Sequence, residues 1–149
     1  RPALEKAEAS NCASVAIELE DGRFVTGKSN KLMTACASAV INAVKTLSDI
    51  PDEMLLLSPI VLAPIISLKK EVLREDKVKL SLGDVLSALS ICAATNPVAE
   101  QAMNRLVQLR DCDAHASCIL PETDLGVMRK LGVNLTCEPE FGSKDLYGF

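Results

Sequence analysis

Segments with the two-residue period of β-strands alternate along this chain with segments that have a helical period. The stretch SVAIELEDGRFVTG starts the pattern. Residues 16–20 alternate, Asp21-Gly22 favours a two-residue turn, and residues 23–26 return, which predicts a β-hairpin. Residues 28–47 then have a helical period and are apolar on nearly all sides. They predict a helix that packs on a sheet and is covered on its other side.

Three further strands are predicted, at EMLLLS, DAHASCIL and VNLTC. Helix starts are predicted where a capping residue or a proline precedes an apolar period, and they lie at Ser58-Pro59, Ser81, Asn96-Pro97 and Pro121. Strands that alternate with helices favour a sheet with helices on both faces. We therefore expect residues 1–149 to form a single domain, a three-layer α/β/α sandwich with a mixed sheet.

The core of this domain is expected to consist of small aliphatic side chains, because 48% of the residues are apolar and only 3% are aromatic. The net charge is −4 and no strongly basic stretch occurs, which argues against nucleic-acid binding. No apolar run approaches the ~20 residues that a membrane span needs, and RPALEKAEAS is too charged for a signal peptide. The six cysteines form no C-x-x-C pair, so we expect buried, reduced thiols in a cytoplasmic protein, with a metal or disulfide framework as the alternative.

Residues 22–29, GRFVTGKS, match the phosphate-loop pattern G-x-x-x-x-G-K-S of ATP- and GTP-binding proteins. In a true phosphate loop a buried strand ends before the first glycine, and the following N–H groups face the phosphates. Here Gly22 belongs to the predicted hairpin turn, and RFVT is expected to pair with AIEL. We therefore expect no phosphate loop and no tight binding of ATP.

A simpler anion site is predicted where a strand meets a helix N-terminus after residue 27. The helices expected to begin near Ser29 and Pro59 would direct their N–H groups to one edge of the sheet, with about half a positive charge each. The alternative is that Ser29 or Asn30 only caps a helix. The candidate ligand-binding residues are Gly27, Lys28, Ser29, Asn30, Ser58 and His115.

His115 is the only histidine, and DAHASCIL places it on a strand of an α/β sheet, near where ligands often bind. Ser117 or Cys118 would be the nearest nucleophiles for it. Residues i and i+3 of one strand point to opposite faces, so His115 and Cys118 cannot pair within that strand. A structural and a catalytic histidine both stay open, and any catalytic partner has to come from another element.

Four stretches of this chain together resemble the C-terminal part of a bacterial family known only as domain of unknown function 1846. They are GKSNKLMTACASAVINAVKTL, LLSPIVLAPIISLK, DVLSALSICAATNPVAEQAMNRLVQLRDCDAHASCIL and MRKLGVNLTCEPEF. The resemblance covers about residues 16–141. Family members are several times longer, which implies that this chain is a C-terminal fragment or subdomain. The family also implies a fold similar to cytidine deaminase.

The chemistry of zinc deaminases can be tested against this resemblance. They need a His or Cys, then Ala and Glu on the first helix, and Pro-Cys-x-x-Cys on the second. Here the two positions read Cys36-Ala37-Ser38 and PIVLA, residues 59–63. At most one of three zinc ligands is present, and the proton-carrying glutamate is replaced by serine. We therefore expect no metal and no cofactor.

Two functions are compatible with these observations. The first is a non-catalytic module that completes the fold and assembly of a larger cytoplasmic bacterial protein, with the rest of the parent chain and further copies in a homo-oligomer as partners. The alternative is a half-site that binds an anion or phosphorylated metabolite in an enzyme of undefined reaction.

Overall fold

The computed structural model describes residues 13–138. Four strands form one sheet in the order β2-β1-β3-β4: β1 (Ser14–Glu18), β2 (Phe24–Lys28), β3 (Asp113–Ala116) and β4 (Asn134–Cys137). β1 is antiparallel to both of its neighbours, whereas β3 and β4 are parallel. The described part is thus an α/β domain with a mixed sheet, as predicted.

Five α-helices accompany the sheet in the described part: α1 (Ala35–Leu47), α2 (Pro59–Ser67), α3 (Leu82–Ala93), α4 (Pro97–Asn104) and α5 (Glu122–Leu131). α2 continues into a π-helical turn, Leu68–Val72, and a 3₁₀ turn, Leu106–Leu109, follows α4. None of the helices in this part of the chain is long and apolar enough to cross a membrane.

The hairpin predicted near the start of the chain is confirmed, but its loop is one residue longer than expected. The Leu19 N–H donates to the Arg23 carbonyl at 2.8 Å, and the Gly22 N–H donates to the Leu19 carbonyl at 2.9 Å. Gly22 has a φ of 89°, which glycine adopts without steric cost. The Asp21 carboxylate accepts from the Arg23 N–H at 3.0 Å, and this contact favours the longer loop.

α1 lies between the sheet and the other helices, as its apolar residues on nearly all sides predict. One side of α1 packs into a core that includes Val15, Ile17 and Ala114 of the sheet. Its other side carries Ile41 and Val44 and packs into a second core with residues of α2, α3 and α4. The prediction that α1 is covered on both sides is confirmed.

The predicted three-layer α/β/α arrangement is not what the described residues show. Both helices that contact the sheet, α1 and α5, pack on the face that carries Val15 and Ala116. The layers are therefore the sheet, then α1 with α5, then α2, α3 and α4. No described helix covers the other face, which carries Lys28, His115 and Thr136, and we call it the open face.

The strand predicted at EMLLLS does not form in the described structure. Residues 53–57 pair with no described strand, and Met54 instead donates its N–H to the Pro51 carbonyl at 3.0 Å. Leu56 and Leu57 are buried in the helical core, while Leu55 is exposed. A continuous apolar run fits a buried strand and a buried loop equally well.

The capping box predicted at the start of α3 is confirmed. Ser81 Oγ accepts from the Asp84 N–H at 3.1 Å, and Asp84 Oδ2 accepts from the Ser81 N–H at 3.0 Å. Lys69 Nζ in the π-helical turn donates to the same carboxylate at 2.7 Å. Partial burial opposes ionisation of Asp84, but the hydrogen bonds from Lys69 and Ser81 hold its pKa below the usual value. The π-helical turn is therefore tied to the start of α3.

The predicted ends of two other helices are also confirmed. Asn96 caps α4 and accepts from the Val98 N–H at 2.9 Å, with Pro97 in the first turn. Gly132 ends α5 with a φ of 84°, a conformation that favours glycine.

Candidate functional site

The loop of Gly27, Lys28, Ser29 and Asn30 does not lie at a helix N-terminus. Gly27 and Lys28 are the last two residues of β2, and α1 begins only at Ala35. Thr34 caps α1 by accepting from the Ala37 N–H at 3.3 Å. The prediction that Ser29 or Asn30 caps this helix is therefore wrong.

Helix α1 begins at Ala35 and not near Ser29 because Asn30 forms a turn before it. Its Oδ1 accepts from the Leu32 N–H at 2.8 Å and from the Met33 N–H at 2.9 Å. These bonds satisfy the local backbone outside a helix, as asparagine side chains commonly do. Met33 then pairs with Leu80 in an isolated parallel bridge. Together these contacts delay the helix until Thr34.

The backbone of this loop has partners of its own. The Ser29 N–H donates to the Ala13 carbonyl at 2.9 Å, and the Asn30 N–H donates to the Met33 carbonyl at 3.1 Å. In this conformation neither N–H group faces a ligand, in contrast to the arrangement in a phosphate loop.

Gly27 has a structural reason to be glycine. A Cβ atom at this position would lie 2.1 Å from the Ala39 nitrogen and 2.5 Å from the Ala39 Cα. α1 therefore packs directly against the backbone of β2, and the Asn42 amide donates to the Thr26 carbonyl at 2.9 Å beside it. The second glycine of the phosphate-loop pattern thus serves helix–sheet packing.

Two lysines are close to Ser29. Lys28 precedes it in the chain and is exposed on the open face. Lys79 Nζ donates to Ser29 Oγ. Lys79 carries no signal in the sequence, because it lies 50 positions away in a lysine-rich connection that reads as solvated. These two ammonium groups bring positive charge to Ser29, and Lys31 follows the loop directly in the chain.

Ser58 is not brought together with Ser29. It caps α2, where its Oγ accepts from the Ile60 N–H at 3.3 Å. Its own N–H donates to Cys92 Sγ at 3.3 Å, in the last turn of α3. Lys79, which contacts Ser29, precedes the first turn of α3. Because a 12-residue helix is about 18 Å long, the two serines lie at opposite ends of α3.

His115 lies on the open face, and both of its ring nitrogens have partners. Nδ1 is 2.7 Å from Thr136 Oγ1, and Nε2 is 3.2 Å from Glu138 Oε1. Thr136 is its register partner on β4, so the partners come from another element, as expected. The Thr136 hydroxyl also donates to the Ala114 carbonyl at 3.3 Å. The cluster joins β3 to β4, and this geometry favours a structural histidine.

The nucleophile considered next to His115 in sequence is engaged elsewhere. Ser117 Oγ accepts from the Ser14 N–H at 2.9 Å, which extends the contact between β1 and β3. The side chains that contact His115 are therefore a threonine hydroxyl and a carboxylate, not the serine or cysteine that lies near it in sequence.

Three of the five cysteines in the described part, Cys36, Cys92 and Cys112, are buried free thiols. Cys12 lies outside the described residues. Burial raises the pKa of the Cys36 thiol to about 12, and the nearby Asp124 carboxylate adds to the shift. Among residues 13–138, no three His, Cys, Asp or Glu side chains are grouped as metal ligands would be.

Asp124 is a buried acidic residue that was not predicted from the sequence. Asp124 has no solvent exposure, and its Oδ1 accepts from the Leu82 N–H at 2.9 Å. Its Oδ2 has no hydrogen-bond partner among the described residues. In the sequence Asp124 resembles any first-turn acidic residue, so only the packing of α5 on α3 identifies its role.

Comparison of the sequence with known proteins places this chain in a family. Residues 1–147 match the family described as "Domain of unknown function DUF1846, C-terminal". The chain is 50% identical over 136 residues to a UPF0371 protein of Clostridioides difficile strain 630, covering 91% of this chain and 27% of that protein. It is 49% identical over 140 residues to a UPF0371 protein of Clostridium botulinum strain 657 / Type Ba4, covering 94% of this chain and 28% of that protein.

The chain therefore belongs to the DUF1846 family, which confirms the resemblance found in the sequence. It is similar to the UPF0371 proteins of clostridia and spans about 27–28% of the length of these two relatives.

Proposed function

We propose that this chain is a non-catalytic module that completes the fold and assembly of a longer bacterial protein. The proposal is supported by where the exposed apolar side chains lie. Of eleven large apolar side chains that are exposed in the described part, six lie within 20 residues of sequence. Three of the six, Ile60, Leu68 and Val72, are spaced by multiples of four residues along α2 and the π-helical turn, and we call the side that carries them the α2 face. The other three are Met54, Leu55 and Leu73.

Helix α2 is almost entirely apolar, although most of its side chains are exposed or only partly buried. α2 has the sequence PIVLAPIIS, of which only Leu62 is buried. Ile60, Pro64, Leu68 and Val72 follow at four-residue steps and so lie near one side of the helix. Ile60 is 84% exposed. A helix that is apolar on all sides is normally buried, and a contiguous exposed apolar patch normally marks a contact surface.

The α2 face is held in place at both ends. Ser58 caps its start, and Leu62 anchors its middle in the helical core. Lys69 joins its end to Asp84 at 2.7 Å. These contacts support a fixed docking surface, since the apolar side chains stay exposed although the helix is anchored.

A charged side chain introduced on the α2 face is expected to destabilise the full-length protein. Ile60→Glu should lower its free energy of unfolding by about 2 kcal/mol, because a covered apolar contact would then bury a charge. The new side chain lies in the first turn of α2, where an acidic residue otherwise stabilises a helix by a few tenths of a kcal/mol, roughly 0.3 or more. A loss in urea denaturation would therefore report the contact.

Val107→Glu is the matched control. Val107 is 77% exposed in the 3₁₀ turn, outside the α2 face. This substitution should change the free energy of unfolding by less than about 0.5 kcal/mol. Equal stability of Ile60→Glu and the wild-type protein would show that the α2 face is solvated and would contradict the assembly role.

The second candidate function is a small-anion site at the loop of Gly27, Lys28, Ser29 and Asn30, with His115 on the same sheet face as Lys28. It is supported by Lys79, which brings a second positive charge to Ser29. We expect inorganic phosphate to raise the melting temperature of the wild type, and to raise that of Lys28→Ala and Lys79→Ala less. The shift should shrink as salt is added. An equal shift in all three proteins, or none, would exclude this site.

The cytidine-deaminase-like fold also belongs to this proposal. It is supported by the confirmed hairpin followed by α1 and by the mixed sheet.

A further inference from the structure

We propose that the α2 face binds the part of the parent chain that precedes this domain, through an apolar helix of that part. This inference rests on the proposed assembly role and names its partner. Its support comes from the size, the pattern and the charge of the α2 face, and from the length of the relatives.

The relatives contain enough additional chain to supply such a partner. The family match is to a C-terminal domain, and the matched part is 27% and 28% of the two clostridial proteins. Most of each relative therefore lies outside the matched part, and the name of the family places it before this domain.

The size of the α2 face favours a partner in the same chain over a second copy. α2 and the π-helical turn have 9 and 5 residues, so together they are about 21 Å long and about 10 Å wide. Such a surface covers a few hundred Å², below the ~800 Å² per partner of a stable complex between separate proteins. A tethered segment is present at an effective concentration on the order of millimolar, so a smaller contact suffices.

The pattern of the α2 face indicates a helical partner. Residues at four-residue steps form a ridge, and ridges of this kind fit the grooves of another helix. The exposed residues beside Pro64 and Leu68 are small, Ala63 and Ser67, which lets a second helix approach closely.

The charge of α2 itself indicates that the partner of this helix is apolar. Residues 59–68 contain no charged side chain. The first charge after them, Lys69, is already paired with Asp84. The contact should therefore be insensitive to salt, unlike the anion site considered above.

Photo-crosslinking in the full-length protein tests the inference. Benzoylphenylalanine replaces Leu68 in one variant and Val72 in a second, in case one position impairs folding. We expect both to give a crosslink within one chain, joining the α2 face to a peptide from the preceding part. Lys70 lies on the opposite side of the π-helical turn and is the control position, where the yield should be at least several-fold lower.

Each other outcome has a distinct meaning. A crosslinked product with the mass of two chains would identify a second copy as the occupant and overturn this inference, while leaving the assembly role intact. Yields at Leu68 and Val72 no higher than at Lys70 would overturn the inference. If Ile60→Glu is also as stable as the wild type, the assembly role fails with it.

Discussion

Gly27→Ala is expected to lower the free energy of unfolding by about 3 kcal/mol, near the upper end for overpacking a core. The added methyl group would lie 2.1 Å from the Ala39 nitrogen. The obstructing atoms belong to the backbone of α1, so no side-chain rotation relieves the clash. α1 would have to move away from β2 and loosen the core on both of its sides. Urea denaturation of the two proteins measures the loss.

Gly126→Ala is the matched control for this prediction. Gly126 lies inside α5, and a Cβ atom there would meet nothing within 4 Å. The same substitution should raise the free energy of unfolding by roughly 0.5–1 kcal/mol, because alanine favours a helix over glycine. If Gly27→Ala were as harmless as Gly126→Ala, the close packing of α1 on β2 would be wrong.

Asp124→Ala is expected to lower the free energy of unfolding by about 3 kcal/mol. Removing the carboxylate leaves the buried Leu82 N–H without its acceptor, which costs about 1–3 kcal/mol. The lost side-chain atoms also leave a cavity between α5 and α3, and that adds to the cost. Thermal and urea denaturation should both detect the loss.

Asp124→Asn separates the hydrogen bond from the charge. The asparagine oxygen can still accept from the Leu82 N–H, so this variant should lose clearly less stability than Asp124→Ala. Equal losses in the two variants would show that the 2.9 Å bond to Leu82 is not what Asp124 contributes.

Local signals in the sequence predicted local structure well. The hairpin, the Ser81–Asp84 capping box, the Asn96 cap and the Gly132 end each depend on residues within a few positions of one another. These signals act through the nearest backbone groups, so the rest of the fold does not change them. The family was also predicted correctly, because long stretches of the sequence resemble it.

Predictions that depended on competition between neighbours failed. Asn30 and Thr34 are both good caps, and only the turn that Asn30 makes with Leu32 and Met33 decides between them. The strand at EMLLLS needed a partner strand, which a sequence period does not supply. The packing of helices on only one face of the described sheet likewise depends on contacts between residues far apart in the sequence.

Contacts between distant residues were not predicted at the candidate site either. Gly27 was predicted as a candidate ligand-binding residue, whereas the structure shows its close approach to the backbone of Ala39, which no motif contains. His115 needed partners from another element, and they are Thr136 and Glu138, 21 and 23 positions away. Such a pair depends on the register of β3 and β4, which no local pattern fixes.

The sheet order also governs when this domain can fold during synthesis. β1 lies between β2, its hairpin partner, and β3, which it meets through contacts such as Ser14 to Ser117, 103 positions apart. The hairpin is therefore made early, but one edge of β1 waits until nearly the whole domain has left the ribosome. Pairing between residues so far apart in the chain slows folding. Until then the edge of β1 that will pair with β3 exposes unpaired N–H and C=O groups, with which any other strand can pair. The nascent chain is therefore most prone to aggregation during this interval.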